Sequence, residues 1–210
     1  MDVLKNKKHL FVIVLIFLSA VNLYAQSYGD LQKAFKESYL LEAKGQFNKA
    51  VESIMMVYNK DNYETNLRLG WLYYTNKQYT ESMQYYQNCI NIMPYSIEAK
   101  LGYVMPASAT EDWAKVMEQY NSILAIDPMN TTVNYRMGLM YYYKPDYATA
   151  YKYFEKVVNL YPFDYSSMIM FAWTNLKMEK YREAEILFNK VLLIKSDDSS
   201  ALDGLGANKK

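Results

Sequence analysis

Side chains able to do chemistry are sparse in this sequence. His9 is its one histidine and Cys89 its one cysteine. The commonest general base and metal ligand therefore occurs once, and no internal disulfide can form. No Cys-x-x-Cys pair, His-x-x-x-His spacing or Gly-rich phosphate loop occurs. "DDSS" at Asp197–Ser200 sets two carboxylates beside two hydroxyls, a set that could hold a cation. The same residues also start a helix by capping its free N–H groups, which is their more ordinary use. Glu183 and Glu185 make a carboxylate pair on an expected exposed helix, with no evident pocket. Met137, Met140, Met168 and Met170 offer adaptable apolar surface rather than a metal string. Cys89 falls in an expected buried column and reads as a structural thiol. These residues predict no catalysis, no metal and no cofactor.

The N-terminus carries an address rather than a site. Lys5, Lys7 and Lys8 precede an apolar run from Leu10 to Val21, and Ala25 closes "NLYA". That order is the one found in secretory signal peptides, and the run falls short of the roughly 20 residues that span a bilayer. Residues 1–25 are expected to be removed after Ala25, leaving residues 26–210, exported to the periplasm or secreted. The "AQ" junction resembles those of exported proteins of Gram-negative bacteria. Removal takes His9 away and lowers Lys+Arg from 23 to 20 and Asp+Glu from 22 to 21. A near-neutral chain gives no bulk attraction to nucleic acid or acidic membrane.

The elements that would position any site follow a ruler. Tyr79, Trp113, Tyr147 and Tyr181 fall at every thirty-fourth position, as do Pro94, Pro128 and Pro162. Gly138, Ala172 and Gly206 repeat with the same period, and Gly70 stands two periods before Gly138. Between these marks the apolar residues recur at spacings of three and four, two helices to a period. "TNKQ" is a polar turn, and Pro94 limits the second helix.

This pattern resembles the tetratricopeptide repeat, or TPR, family, in which a small residue and a ring alternate along two helices before a closing proline. Ala150, Phe154, Val157 and Pro162 match it well, as do Ala184, Phe188 and Val191, while Ser38, Phe47, Ala50, Ile54 and Val57 make a degenerate first unit two residues short. The resemblance implies an all-α fold, a right-handed α-solenoid of about five helix-turn-helix units near 31–62, 63–94, 95–130, 131–164 and 165–198. A partial cap is expected over 199–208, where Leu205 and Gly206 echo Leu69 and Gly70. The third unit looks irregular: Gly102 stands eleven positions before Trp113, where Gly70 stands nine before Tyr79. The excess falls in "VMPASATED", where Pro106 is expected to end or kink the first helix.

In the TPR fold the first helices line a concave side, which the resemblance carries onto particular residues here. One column reads Tyr39, Trp71, Tyr103, Leu139 and Trp173; a second adds Tyr74 and Tyr142; a third reads Phe35, Leu67, Ala99, Tyr135 and Ile169. Together they form either a ring-lined groove or packing between successive units, and as a stripe they favour binding. Beside them Lys36, Arg68, Lys100 and Arg136 form a basic ladder that either holds carboxylates or is a solvated flank.

The expectation is a non-enzymatic protein-binding scaffold or adaptor of the cell envelope, holding a protein or peptide segment of another envelope protein in the groove. Alternatively, the chain is a structural assembly subunit that uses outer helix faces and the C-terminal cap, self-association included. Sugar binding by ring stacking ranks third, since the groove columns are poor in polar side chains.

Overall fold

The computed structural model describes residues 28–207, so the export segment expected over residues 1–25 and the last residue of the expected cap, at 208, lie outside the described residues. Among the described residues every regular element is an α-helix. The chain divides into two compact units, one ending at Val116 and the other starting at Met117. The first holds α1 (28–43), α2 (Phe47–Met55), α3 (Tyr63–Thr75), α4 (Tyr79–Ile92), α5 (Ile97–Ala109) and the first turn of α6 (Trp113–Ile126). The second holds the remainder of α6, then α7 (Thr131–Tyr143), α8 (Tyr147–Leu160), α9 (Tyr165–Lys177), α10 (Tyr181–Ile194) and α11 (Ser199–Ala207).

Helix starts keep the same ruler, where the glycine column does not. α3, α5, α7, α9 and α11 begin at Tyr63, Ile97, Thr131, Tyr165 and Ser199, each one period after the last. Each is preceded by a capping side chain, in turn Asn62, Ser96, Asn130, Asp164 and Asp198. Their oxygens accept the N–H three residues on at 2.8, 3.1, 3.1, 2.8 and 2.9 Å. Such a cap stabilises a helix by about 1 kcal/mol. "DDSS" is thus a helix start: Asp198 is buried, with one oxygen on Ala201 N–H and the other taking the Tyr165 hydroxyl at 2.7 Å. Tyr63 plays the same part in the first unit, its hydroxyl 2.8 Å from Ser96 Oγ. The first residue of one hairpin thereby ties to the cap of the next.

Rings set against missing Cβ atoms hold the hairpins together. Tyr86 of α4 is 2% exposed, and a Cβ on Gly70 of α3 would come within 3.0 Å of it and one on Gly102 of α5 within 2.3 Å. In the second unit a Cβ at Gly138 would meet Phe154 at 2.6 Å, and one at Gly204 would meet Phe188 at 2.2 Å. In the first unit Ala50, Ile54, Leu69 and Leu72 form a buried cluster of their own, and in the second Met168, Ala172, Ala184 and Val191 are buried with Phe188. Cys89 is buried too, and burial pushes its thiol up to about 12.

Two expectations need correction. The third repeat has no insertion: α5 has the 13 residues of α3, α7 and α9, and it runs through buried Pro106 to Ala109. One period after Gly70 comes Val104, so Gly102 is the wrong ruler mark. Gly102 is a glycine because it faces Tyr86, two places earlier on the helix. Likewise Gly206 meets nothing within 4 Å, and Gly204 makes the close approach in α11.

These contacts carry two testable consequences. Gly204→Ala should destabilise by about 1–3 kcal/mol through overpacking against Phe188, whereas Gly206→Ala should be neutral or gain up to about 1 kcal/mol of helix propensity; chemical denaturation of both variants checks the order. The Asp198 carboxyl is held below its usual range, first by the Tyr165 hydroxyl and then by the Ala201 N–H. Its contribution is therefore full above the unfolded value of about 4 and lost as pH falls through the folded value. Asp198→Asn should melt below the parent at neutral pH, with the gap closing in acid; a gap unchanged by acid would rule the carboxylate out as its source.

Candidate binding face on the first helices

In the first unit the expected groove residues of α1 and α3 come together, while α5 contributes residues outside the expected columns and buries the expected Ala99. One hollow of about 360 Å³ is lined by Phe35, Tyr39, Glu64, Leu67, Arg68 and Trp71. A second, of about 580 Å³, is lined by Leu67, Trp71, Tyr86, Ile97, Glu98, Leu101, Gly102 and Met105. Leu67 and Trp71 belong to both, so the two hollows form one apolar face. Tyr39 is 55% and Trp71 38% exposed, large areas for rings that could instead have been packed. Tyr74 is half-buried, tilted against Trp71 and Tyr79 with each centroid separation at 6.0 Å.

Trp71 is not loosely held. Its indole Nε1–H donates to Glu42 Oε1. The other oxygen of Glu42 lies 2.6 Å from Arg68 Nη2. Arg68 in turn donates from Nε to Ser38 Oγ at 2.9 Å and lays its guanidinium 3.9 Å from the Tyr39 ring centre. Glu42 therefore couples the two rings of the face through one buried cation.

That use of Arg68 dissolves the basic ladder. Arg68 is buried and ion-paired within the unit, and Lys100 is buried; only Lys36 and Arg136 are exposed. Lys100 falls in the column of Asn66 and Asn134, both fully buried and bonded to the backbone of the preceding turn. The same register error misplaced Tyr103, which is 8% exposed and part of the core. One period on from Leu67 and Trp71 stand Leu101 and Met105, the residues that line the second hollow. Glu42, Glu64 and Glu98 were also missed; of these only Glu64 and Glu98 lie one period apart.

In the second unit the corresponding residues do less surface work. Ile169 is buried, and Trp173 packs edge-on against Phe188 at 5.2 Å while its Nε1–H donates to Ser200 Oγ of α11 at 2.8 Å. Tyr135 sits edge-on to Phe154 at 5.9 Å, and Tyr142 contacts Tyr147 at 5.5 Å. Leu139 is half-buried. The hollow here, about 380 Å³, is lined with hydroxyls and a carboxylate (Thr131, Thr132, Ser166, Ser167 and Asp164) beside Tyr135, Tyr161 and Val157. Trp173 thus acts as mortar between α9, α10 and α11, unlike Trp71. Among the described residues no group of three His, Cys, Asp or Glu side chains gathers as for a metal ion.

Known proteins share this architecture. The tetratricopeptide-repeat family matches residues 63–95 and again residues 133–164. A tetratricopeptide repeat protein from Parabacteroides merdae superposes with a TM-score of 0.71 at 19% identity, covering 86% of this chain and 72% of its own. The MamA protein superposes at 0.67 and 17% identity, over 81% of this chain and 94% of that one. YrrB, described as a TPR protein with an unusual peptide-binding site, superposes at 0.63 and 13% identity, over 82% and 96%. At these identities the likeness is one of fold. Comparison with curated protein sequences gives no match. Repeating caps, first helices of one length from α3 to α9, rings set on small residues and the two family matches agree: the chain carries tetratricopeptide repeats at residues 63–95 and 133–164, within an all-helical array of that fold.

Proposed function

We propose that this chain is a non-enzymatic scaffold of the cell envelope that holds a segment of another envelope protein on the α1/α3/α5 face. The observation that carries the proposal is Trp71: a large ring, over a third exposed, fixed by Glu42 and shared by two adjoining apolar hollows. A ring kept exposed and oriented offers contact area at little entropic cost, the usual make-up of an interface hot spot. TPR proteins are in general interaction scaffolds built on extended repeat surfaces, and the likeness to YrrB, whose description names a peptide-binding site, supports a peptide ligand. The envelope location rests on the apolar run Leu10 to Val21 behind three lysines.

A second reading has its own observation. On α10 a shallow hollow is lined by Glu185, Ile186, Asn189, Lys190, Leu192 and Leu193, with Leu193 76% exposed. An outer face of that kind suits a subunit docked in a larger assembly, or a second copy of the chain.

Capture from envelope extract separates the two readings. Trp71→Ala should weaken partner capture roughly 30-fold, as loss of a hot spot of about 2 kcal/mol does, while Leu193→Glu should leave it unchanged. The reverse pattern would favour the assembly subunit. Leu193 is 76% exposed, so its variant should melt near the parent. Trp71→Ala also loses the hydrogen bond to Glu42, so a helical spectrum like that of the parent is the control for its capture result. N-terminal sequencing of chain recovered from the envelope should begin at Gln26; an intact Met1 would count against export with cleavage.

A further inference from the structure

The ionisable groups bordering the α1/α3/α5 face decide the chemistry of what it can hold. Arg68 is the one cation among the residues lining its two hollows, and Glu42 already pairs with it. The lining anions are Glu64 in the first hollow and Glu98 in the second. Both are exposed, and the ion pairs of Arg68, Lys115 and Lys195 go to other carboxylates. Glu64 accepts a neutral hydrogen bond from Asn62 Nδ2 at 2.9 Å, and Glu98 one from the Tyr63 hydroxyl at 3.1 Å. A carboxylate has room for more donors than that.

The two acids occupy the same place, in the first turns of α3 and α5. A first-turn acid suits the helix dipole, but that alone does not account for the pattern. The same column continues as Thr132 in α7 and Ser166 in α9, so the carboxylates occur only where the column borders the apolar face with Trp71. Helices packed directly, as α3 and α5 are, lie roughly 8–10 Å apart. An extended chain covers that distance in about three residues.

We infer that the segment held on this face is extended and cationic, two Lys or Arg residues about three positions apart bracketing apolar residues that seat on Leu67 and Trp71. The inference rests on the binding role proposed above for the same face. It reverses the polarity that a basic ladder would have imposed: a carboxylate-bearing segment finds its only lining cation, Arg68, buried and already paired.

Three capped peptides with a common Leu-Phe centre test it, flanked on each side by Lys, by Gln or by Glu. Each is titrated by fluorescence anisotropy against the full-length chain, its Glu64→Gln/Glu98→Gln variant and its Trp71→Ala variant. The lysine peptide should bind roughly five- to tenfold more tightly than the glutamine peptide at low salt, as two largely exposed ion pairs allow. The advantage should shrink as salt rises and vanish in the double glutamine variant, while the glutamine peptide binds parent and double variant alike. Equal affinity of lysine and glutamine peptides, with both lost on Trp71→Ala, would overturn the cationic preference and leave the groove reading standing. Tightest binding of the glutamate peptide would overturn the preference outright. Binding of the lysine peptide that ignores Trp71→Ala, or of no peptide at all, would remove the groove reading and the inference with it.

Discussion

The fold depends on rings lying where a Cβ would otherwise be. Tyr86 fills the space between Gly70 and Gly102, so α4 touches the first helix of its own hairpin and the first helix of the next at once. Neither glycine is needed for a special backbone conformation; each lies inside a helix, where glycine costs roughly 1 kcal/mol relative to alanine. Burial of a large ring offsets that cost, since an aromatic side chain removes about 150–250 Å² from water. Phe154 against Gly138 and Phe188 against Gly204 repeat the arrangement in the second unit. A hairpin with its ring bare would expose the surface that makes it fold, which is why repeats of this kind are stable only in stacks.

Stacking alone leaves one freedom, sliding along the helix axes, and polar groups remove it. The five first-helix caps fall on one common ruler, and at two of them, Ser96 and Asp198, a tyrosine from the preceding hairpin bonds to the capping side chain. A cap is satisfied only at the end of a helix, so a hydroxyl that reaches it sets the axial offset of the two hairpins. Apolar contact supplies most of the stabilisation, and these few directional bonds select one offset among several with similar burial.

The hairpin architecture was legible because its signals are redundant: ring, small residue, proline and cap all recur at one interval, and any two of them reveal it. The face was legible only where residues obey that interval. Anchoring the third repeat on Gly102 shifted it by two positions, about half a helical turn. Tyr103 and Lys100 thereby came to read as groove residues, while Leu101 and Met105 were passed over. Gly102 misled because glycine answers to whatever ring lies opposite, not to a column. Arg68 misled for a different reason. Its partner Glu42 has no equivalent in later repeats, and a side chain's neighbour on another helix leaves no trace in one-dimensional spacing. Trp173 failed similarly, since its hydrogen bond to Ser200 depends on α11 lying near enough to receive it.

The contrast between the two tryptophans suggests how one scaffold column is divided between stability and recognition. Both indole N–H groups are satisfied, yet by partners of different consequence. Ser200 belongs to a helix that lies over Trp173 and, together with Phe188, leaves the ring half-buried in the packing. Glu42 belongs to the rim beside Trp71, so its hydrogen bond orients the ring without covering it, and the same carboxylate neutralises Arg68 beneath Tyr39. Truncating Glu42 would leave Arg68 as an uncompensated buried charge, a far larger penalty than the loss of an exposed ion pair. The pair is therefore resistant to change, and with it the attitude of both exposed rings. A surface prepared in this way loses little side-chain entropy on binding. With its one cation committed inward, the charge it leaves facing outward is that of Glu64 and Glu98.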